Sequence, residues 1–240
     1  LLRERAHNND PEALYELGRY HTESENEYDI AKAMEYYAAA ADLGNDEARL
    51  ALADCYMRDA DYEKALALYL QVMGYKRGEA LLGAFGAGNA LGRRDEAFKY
   101  LKQAVELDNA AAMYELAELN YFGQLGRVNY TNAIRWYTAA GKLGHAEAAN
   151  AAGEMYFSGR GVTKNYKKAV EWYTVAGENG HTEAQFALGY MYDAGLGVNA
   201  DAVKAAYWYE KAALQNHADG QFNLGLMCAN GQGVPQNLNK

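Results

Sequence analysis

A chain of 240 residues is long enough for two domains, yet half of it is hydrophobic, Pro occurs twice and Ser only at Ser24 and Ser158, which excludes a disordered or linker-rich polymer. The net charge of -9 and pI near 5.1 argue against a nucleic-acid partner, since Lys and Arg that neutralise phosphates dominate that affinity. No run of 18 apolar residues is present, so no membrane insertion is expected in this segment, and Leu1 begins it without an initiator Met, a charged n-region or an apolar h-region.

Laid on itself, the chain repeats. Residues 1-11 read as the end of a preceding repeat, because Leu2 to Pro11 lines up with Tyr209 to Ala218. An Ala then opens the first helix of repeat 1 (12-46) at Ala13, repeat 2 (47-78) at Ala48, repeat 3 (79-110) at Ala80 and repeat 4 (111-146) at Ala112, spaced by 35, 32 and 32 residues. Repeat 5 (147-182), repeat 6 (183-218) and the first half of repeat 7 (219-240) follow in a strict period of 36 with Ala148, Ala184 and Gly220. Five residues after the opening position stands a small residue, Gly18, Ala53, Ala117, Gly153, Gly189 or Gly225, and three further on an aromatic at Tyr56, Tyr156 and Tyr192.

The second helix of each late repeat carries Ala133 with Trp136-Tyr137, Ala169 with Trp172-Tyr173, and Ala205 with Trp208-Tyr209. Ala169, Trp172, Tyr173 and Ala176 follow i, i+3, i+4, i+7, one face of an α-helix, and strand alternation is absent. The pattern predicts helices over about 147 to 157 and 166 to 179. A helix of about a dozen residues is marginal alone, so each pair must bury its small and aromatic faces against its neighbours.

Between the helices lies Gly159-Arg-Gly161-Val162, again Gly195-Leu-Gly197-Val198 and Gly231-Gln-Gly233-Val234, with a stretched form from Gly123 through Gly126 to Val128. The first Gly is expected to end a helix in the left-handed conformation, with Val turned inward. A phosphate cradle would need a preceding strand and the basic residues of a P-loop, and both are missing. Gly83, Gly86 and Gly88 crowd one helix, where Phe85 takes the usual small position and Gly88 the usual aromatic one, which reads either as an exchange of large and small partners or as a local bend or hinge.

Candidate chemistry is sparse. The sequence has no H-E-x-x-H, S-x-x-K, G-x-S-x-G or C-x-x-C, so no enzyme, cofactor or metal site is expected. His145, His181 and His217 recur at one point of successive repeats, too far apart to share a zinc ion, and read as turn residues whose partly protonated rings suit the negative end of the preceding helix. The Trp136, Trp172, Trp208 stripe, each with Ala four residues on, reads as core. Cys55 and Cys228 lie five repeats apart and are not expected to pair.

The unit A-x-x-x-x-L-G-x-x-Y, Gly-x-Gly-Val, A-x-x-W-Y-x-x-A-A, seen from Ala184 to Ala213, resembles the Sel1-like repeat. Repeats 2 and 3 lack the loop and look like ordinary tetratricopeptide repeats, as Asp95-Glu96-Ala97 through Asp108 shows. The resemblance implies an all-α, right-handed α-α superhelical solenoid of antiparallel helix pairs. It also implies an adaptor: such proteins are associated in eukaryotes with membrane-protein quality control and in bacteria with exported or envelope proteins. A cysteine-rich branch linked to penicillin binding is a poor match, since its paired cysteines are missing. The compartment is left open between the bacterial envelope, by resemblance, and the cytoplasm, where disulfides are not expected.

By resemblance to tetratricopeptide arrays, the residues pointing into the groove are Tyr15, Arg19, Leu50, Asp54, Tyr114, Glu118, Asn150, Glu154, Phe186, Tyr190, Phe222 and Leu226. Two functions follow. The first is a protein or peptide scaffold, with Tyr114, Phe186, Tyr190 and Phe222 as anchors and Glu118 and Glu154 selecting a basic or polar ligand. The second is a carbohydrate or cell-envelope polymer binding protein, in which Glu118 and Glu154 would flank one substrate. Both ends look cut, so an end-to-end contact at the C-terminal face is expected.

Overall fold

The computed structural model describes residues 2–22 and 27–234. Among these the chain is all helical: α1 (Leu2–His7), α2 (Pro11–Thr22), α3 (Glu27–Asp42), α4 (Asp46–Arg58), α5 (Tyr62–Gln71), a 3-10 turn at Gly74–Lys76, α6 (Arg77–Ala90), α7 (Arg94–Glu106), α8 (Ala110–Tyr121), α9 (Tyr130–Lys142), α10 (Ala146–Ser158), α11 (Tyr166–Glu178), α12 (Thr182–Ala194), α13 (Ala202–Leu214) and α14 (Ala218–Asn230). Helices α10 and α11 lie within a residue of the 147 to 157 and 166 to 179 expected from the apolar spacing. Contacts divide the chain within α8, between Ala112 and Met113, into two compact units.

Even-numbered helices are the first members of pairs, and α2, α4, α6, α8, α10 and α12 each pack on the odd-numbered helix that follows. What lets them close is the small residue five after the opening Ala. In the first unit Gly18 of α2 faces the ring of Tyr37 on α3; in the second, Gly153 of α10 faces Tyr173 on α11 and Gly189 of α12 faces Tyr209 on α13, and a Cβ at any of the three would overlap the ring. The tyrosines are buried and anchor cores built mainly of Ala, Leu and Met. Removing a well-packed Tyr ring from such a site typically costs several kcal/mol, about 3–5.

Helix α6 runs unbroken through its three glycines. Gly83 accepts the ring of Tyr69 from α5, Gly88 lies against Ala97 of α7, where an added Cβ would stand 3.0 Å from that of Ala97, and Phe85 is buried. Large and small have exchanged places, and the gain in packing offsets the helix penalty of about 1 kcal/mol per Gly.

The three regular loops cap their helices as expected and do something more, whereas Val128 of the stretched loop is exposed and not turned inward. Gly159, Gly195 and Gly231 end their helices with φ of 79°, 68° and 64°, each a left-handed cap. The second glycine of each loop is also left-handed, and it rests on the first turn of the preceding pair's second helix: Gly161 on Tyr130, Gly197 on Tyr166 and Lys167, Gly233 on Ala202 and Val203. A side chain there would strike backbone. Val198 and Val234 pack into the cores beside them.

The reading of the three histidines is corrected. His145, His181 and His217 start α10, α12 and α14, and each accepts through Nδ1 the backbone N–H three residues on, at 3.3, 3.3 and 3.1 Å. They are N-caps at the positive end of the helix, and an acceptor Nδ1 carries no proton. Asp10, Asn45 and Asn109 hold the same register in the first unit, capping Ala13, Ala48 and Ala112.

Trp208 is buried, whereas Trp136 and Trp172 are half-buried. Trp172 and Trp208 lie against Gly141 and Gly177 of the preceding second helices, so glycine receives the rings. Cys55 and Cys228 are free, buried thiols.

Candidate functional site

In the second unit, residues of α8, α10 and α12 converge. A cavity of about 690 Å³ is lined by Tyr114, Glu118, Tyr121 and Phe122 from the α8 side, and by Glu147, Asn150, Glu154 and Phe157 of α10. Tyr137 of α9 and Tyr173 of α11 lie below it, and Arg160 and His181 are at its edge. A second cavity of about 310 Å³ shares Asn150, Glu154, Phe157 and Tyr173 with the first and continues to Glu183, Phe186 and Tyr190 of α12. The first helices place these side chains because Leu116-Ala117, Ala152-Gly153 and Leu188-Gly189 turn into the core, leaving positions two before and one after each pair on the opposite face.

Six of the twelve residues singled out from sequence, Tyr114, Glu118, Asn150, Glu154, Phe186 and Tyr190, therefore line two adjoining cavities. Their roles differ. Tyr114 stacks on His145 at 4.8 Å and Phe186 on His217 at 4.6 Å, so both rings also brace the cap of the next first helix. Tyr190 is 46% exposed. Phe222 and Leu226 on α14 are exposed outside both cavities, Phe222 at 65%.

The other residues belong to the first unit. Tyr15 is half-buried with its ring 5.8 Å from Tyr37, and Arg19 is exposed and pairs with Glu16 at 3.1 Å. Asp54 accepts the Tyr69 hydroxyl at 2.5 Å, and desolvation holds its carboxyl above the usual range. Leu50 does not face outward as expected: it is buried in the core with Leu66 and Tyr69, because in α4 the position two before Leu52-Ala53 is covered by the next pair.

The electrostatics of the larger cavity are one-sided. Glu118 accepts the Tyr137 hydroxyl and Glu154 accepts the Asn150 amide at 2.8 Å, so both are held by neutral donors. Burial raises the pKa of Tyr137 and Tyr173 well above the usual phenol range, and desolvation together with Glu118 raises the carboxyl of Glu115. Arg160 is the single Lys or Arg lining either cavity among the described residues, and its guanidinium is bound to the Tyr121 hydroxyl. No group of three or more His, Cys, Asp or Glu able to hold a metal occurs among the described residues.

Sequence spacing missed Tyr137 and Tyr173, which form the cavity floor from second helices, and Tyr121, Phe122, Phe157, Glu147 and Arg160 around its rim. The signal for the first two was present: the Tyr after each Trp recurs with the same period as the groove residues.

The profile of the Sel1 repeat matches residues 11–45, 46–71, 78–109, 110–145, 146–181, 182–217 and 218–240, taking in the two shorter repeats without the glycine loop. Part of the chain is 31% identical to "ERAD-associated E3 ubiquitin-protein ligase component HRD3A" of Arabidopsis thaliana, over 46% of this chain and 19% of that protein. Among solved structures it is similar to c5321, a protective antigen of uropathogenic Escherichia coli displaying an SLR fold, with a TM-score of 0.76 and 25% identity over 99% of this chain and 53% of that one. A Sel1 repeat protein from Oxalobacter formigenes follows at a TM-score of 0.51 and 24% identity, covering 99% of this chain and 82% of that one. The chain thus spans about a fifth of the plant relative and about half of the bacterial antigen. With repeat models matching almost end to end, the chain belongs to the Sel1 repeat family.

Proposed function

We propose that this chain is a scaffold whose second unit holds a segment of a partner protein against the face formed by α8, α10 and α12. Sel1 and tetratricopeptide-like repeats are generally protein-interaction scaffolds, and the observation that carries the reading here is local. Three successive first helices present aromatic side chains and carboxylates to two adjoining cavities, with Tyr190 and Phe122 exposed at opposite ends. Large exposed rings rimmed by charge are the usual make-up of a protein-binding surface.

An extended strand of partner fits this arrangement better than a globular face, since the two cavities share a wall and follow the stacking direction of the helices within the unit. The test is a pull-down with the chain as bait. Replacing Phe186 and Tyr190 together by Ala is expected to abolish recovery of the partner with helicity unchanged by circular dichroism; full recovery by the double variant means that the partner is bound elsewhere.

A further inference from the structure

We infer that the larger cavity of the second unit is a receptor for a cationic side chain, Arg or Lys, carried by the extended partner segment. This rests on the scaffold reading and names what that surface selects.

Three observations point the same way. First, the cavity is walled by rings in mutual contact: Tyr114 and Tyr121 lie 5.9 and 6.2 Å from Tyr137, centroid to centroid, with Tyr173 and Phe157 opposite. Ring faces attract ammonium and guanidinium groups, more strongly where water is displaced. Its volume of about 690 Å³ is ample for a long basic side chain and its flanking backbone.

Second, among the described residues no Lys or Arg forms a hydrogen bond or ion pair with the carboxylates facing it, and Glu154 feels the charge of Arg160 only from the rim. Glu118 and Glu154 are held by a phenol and an amide, and Glu147 lies 3.3 Å from the His145 ring. Across the unit the cations are kept elsewhere. Arg135 lies over Trp136, Lys164 over Tyr166, Lys168 over Tyr156, Lys204 over Tyr192 and Lys211 over Tyr207, and none of these cations lines either cavity. The face of the first helices is left acidic, and that charge is complementary to a basic segment.

Third, one guanidinium already occupies the rim. Arg160, delivered by the glycine loop, donates to the Tyr121 hydroxyl and lies 5.6 and 5.9 Å from the centroids of Tyr121 and Tyr130. The rings there hold a cation, and the adjoining space between Tyr114, Glu118 and Glu154 offers the same chemistry with two carboxylates in addition.

The experiment is a selection of displayed twelve-residue random peptides on the intact chain, run in parallel on the E118Q/E154Q variant. Gln keeps an acceptor for the Tyr137 hydroxyl, and circular dichroism checks that the variant folds. Peptides recovered on the parent chain are expected to be enriched in Arg or Lys at a fixed position, with affinity about tenfold above the same peptides carrying Gln there. That preference is expected to vanish on the variant and to weaken with added salt. Recovered peptides without an excess of Arg or Lys, or an excess unchanged on the variant, overturn the cation site and leave the scaffold surface standing. No enrichment of any peptide on the folded parent chain overturns both.

Discussion

The two compact units solve one problem with two devices. In the first, α4–α5 and α6–α7 are joined by three residues, 59–61 and 91–93; in the second, α10–α11 and α12–α13 are joined by seven, 159–165 and 195–201. The difference of four accounts for the whole change of repeat length from 32 to 36, since the span from second-helix Ala to next opening Ala is 15 residues throughout, as from Ala65 to Ala80 and from Ala169 to Ala184. Repeat length is therefore set inside the pair, while the step from one pair to the next is constant.

The longer loop has a purpose beyond connection. Its second glycine lies on the backbone of the preceding pair, at Tyr166 and Lys167 for Gly197, and so ties neighbouring repeats. In the first unit the equivalent tie is an ion pair, Arg93 to Glu63 at 2.5 Å, from the α6–α7 turn to the first turn of α5. At this point of the pair one unit ties neighbouring repeats by backbone contact, the other by an exposed ion pair.

The sharpest way to break this contrast is at the glycine. Gly197→Val forces a β-branched residue to φ near +75° and drives it into the α11 backbone, so the expected loss of stability is about 3 kcal/mol or more. Gly180 is the control: its φ is +88°, but nothing lies within 4 Å, so Gly180→Ala should cost only about 1 kcal/mol. Urea unfolding of the two variants measures the difference, and equal losses would mean that the loop merely turns the chain.

Alkali separates the repeats next. Tyr209 in the second unit is pushed up to about 12 by burial, while the corresponding residue of repeat 3 is Leu101, without a phenol. A phenol whose folded pKa exceeds the ordinary value near 10 contributes stability that is whole below pH 10 and is lost as pH rises through 12. Unfolding free energy should fall by about 2 kcal/mol over that window on account of Tyr209. Tyr209→Phe should flatten that part of the profile, measured by denaturation at successive pH values.

The caps give a smaller effect. His181→Ala should cost about 1 kcal/mol, and His181→Asn, which copies the Asn45 cap of the first unit, should cost almost nothing. Thermal melts of both variants decide; a loss on Asn substitution equal to that on Ala would show the ring acting through packing.

Much of this was legible in the sequence, for reasons that can be named. The opening Ala, the small residue five later and the Tyr of the second helix each answer a steric demand at a fixed point of the pair, so they recur, and helices α10 and α11 were found to within a residue. The histidines were misread because imidazole suggests charge, yet Asp10, Asn45 and Asn109 in the same register already spelled an N-cap. Leu50 was misplaced because its position faces outward only if the next pair leaves it open, and that depends on neighbours far along the chain. The cavity floor of Tyr137 and Tyr173 was missed for the same reason: a ring can be core on one face and lining on the other, and spacing alone does not tell which.

The weakest tie sharpens the comparison most. Arg93 and Glu63 are 43% and 61% exposed, and an ion pair so open to water and salt contributes at most about 1 kcal/mol. Arg93→Ala should therefore lower stability by less than about 1 kcal/mol at low salt and by nothing measurable at about 1 M NaCl, where screening reaches within a few ångströms. The second unit's glycine tie involves no charge, so the loss from Gly197→Val should be the same at both salt concentrations. Paired urea titrations at low and high salt test this directly. A salt-independent loss at Arg93 would mean that its aliphatic stem packs as the glycine loop does, and that the two units differ in loop length but not in how their repeats are joined.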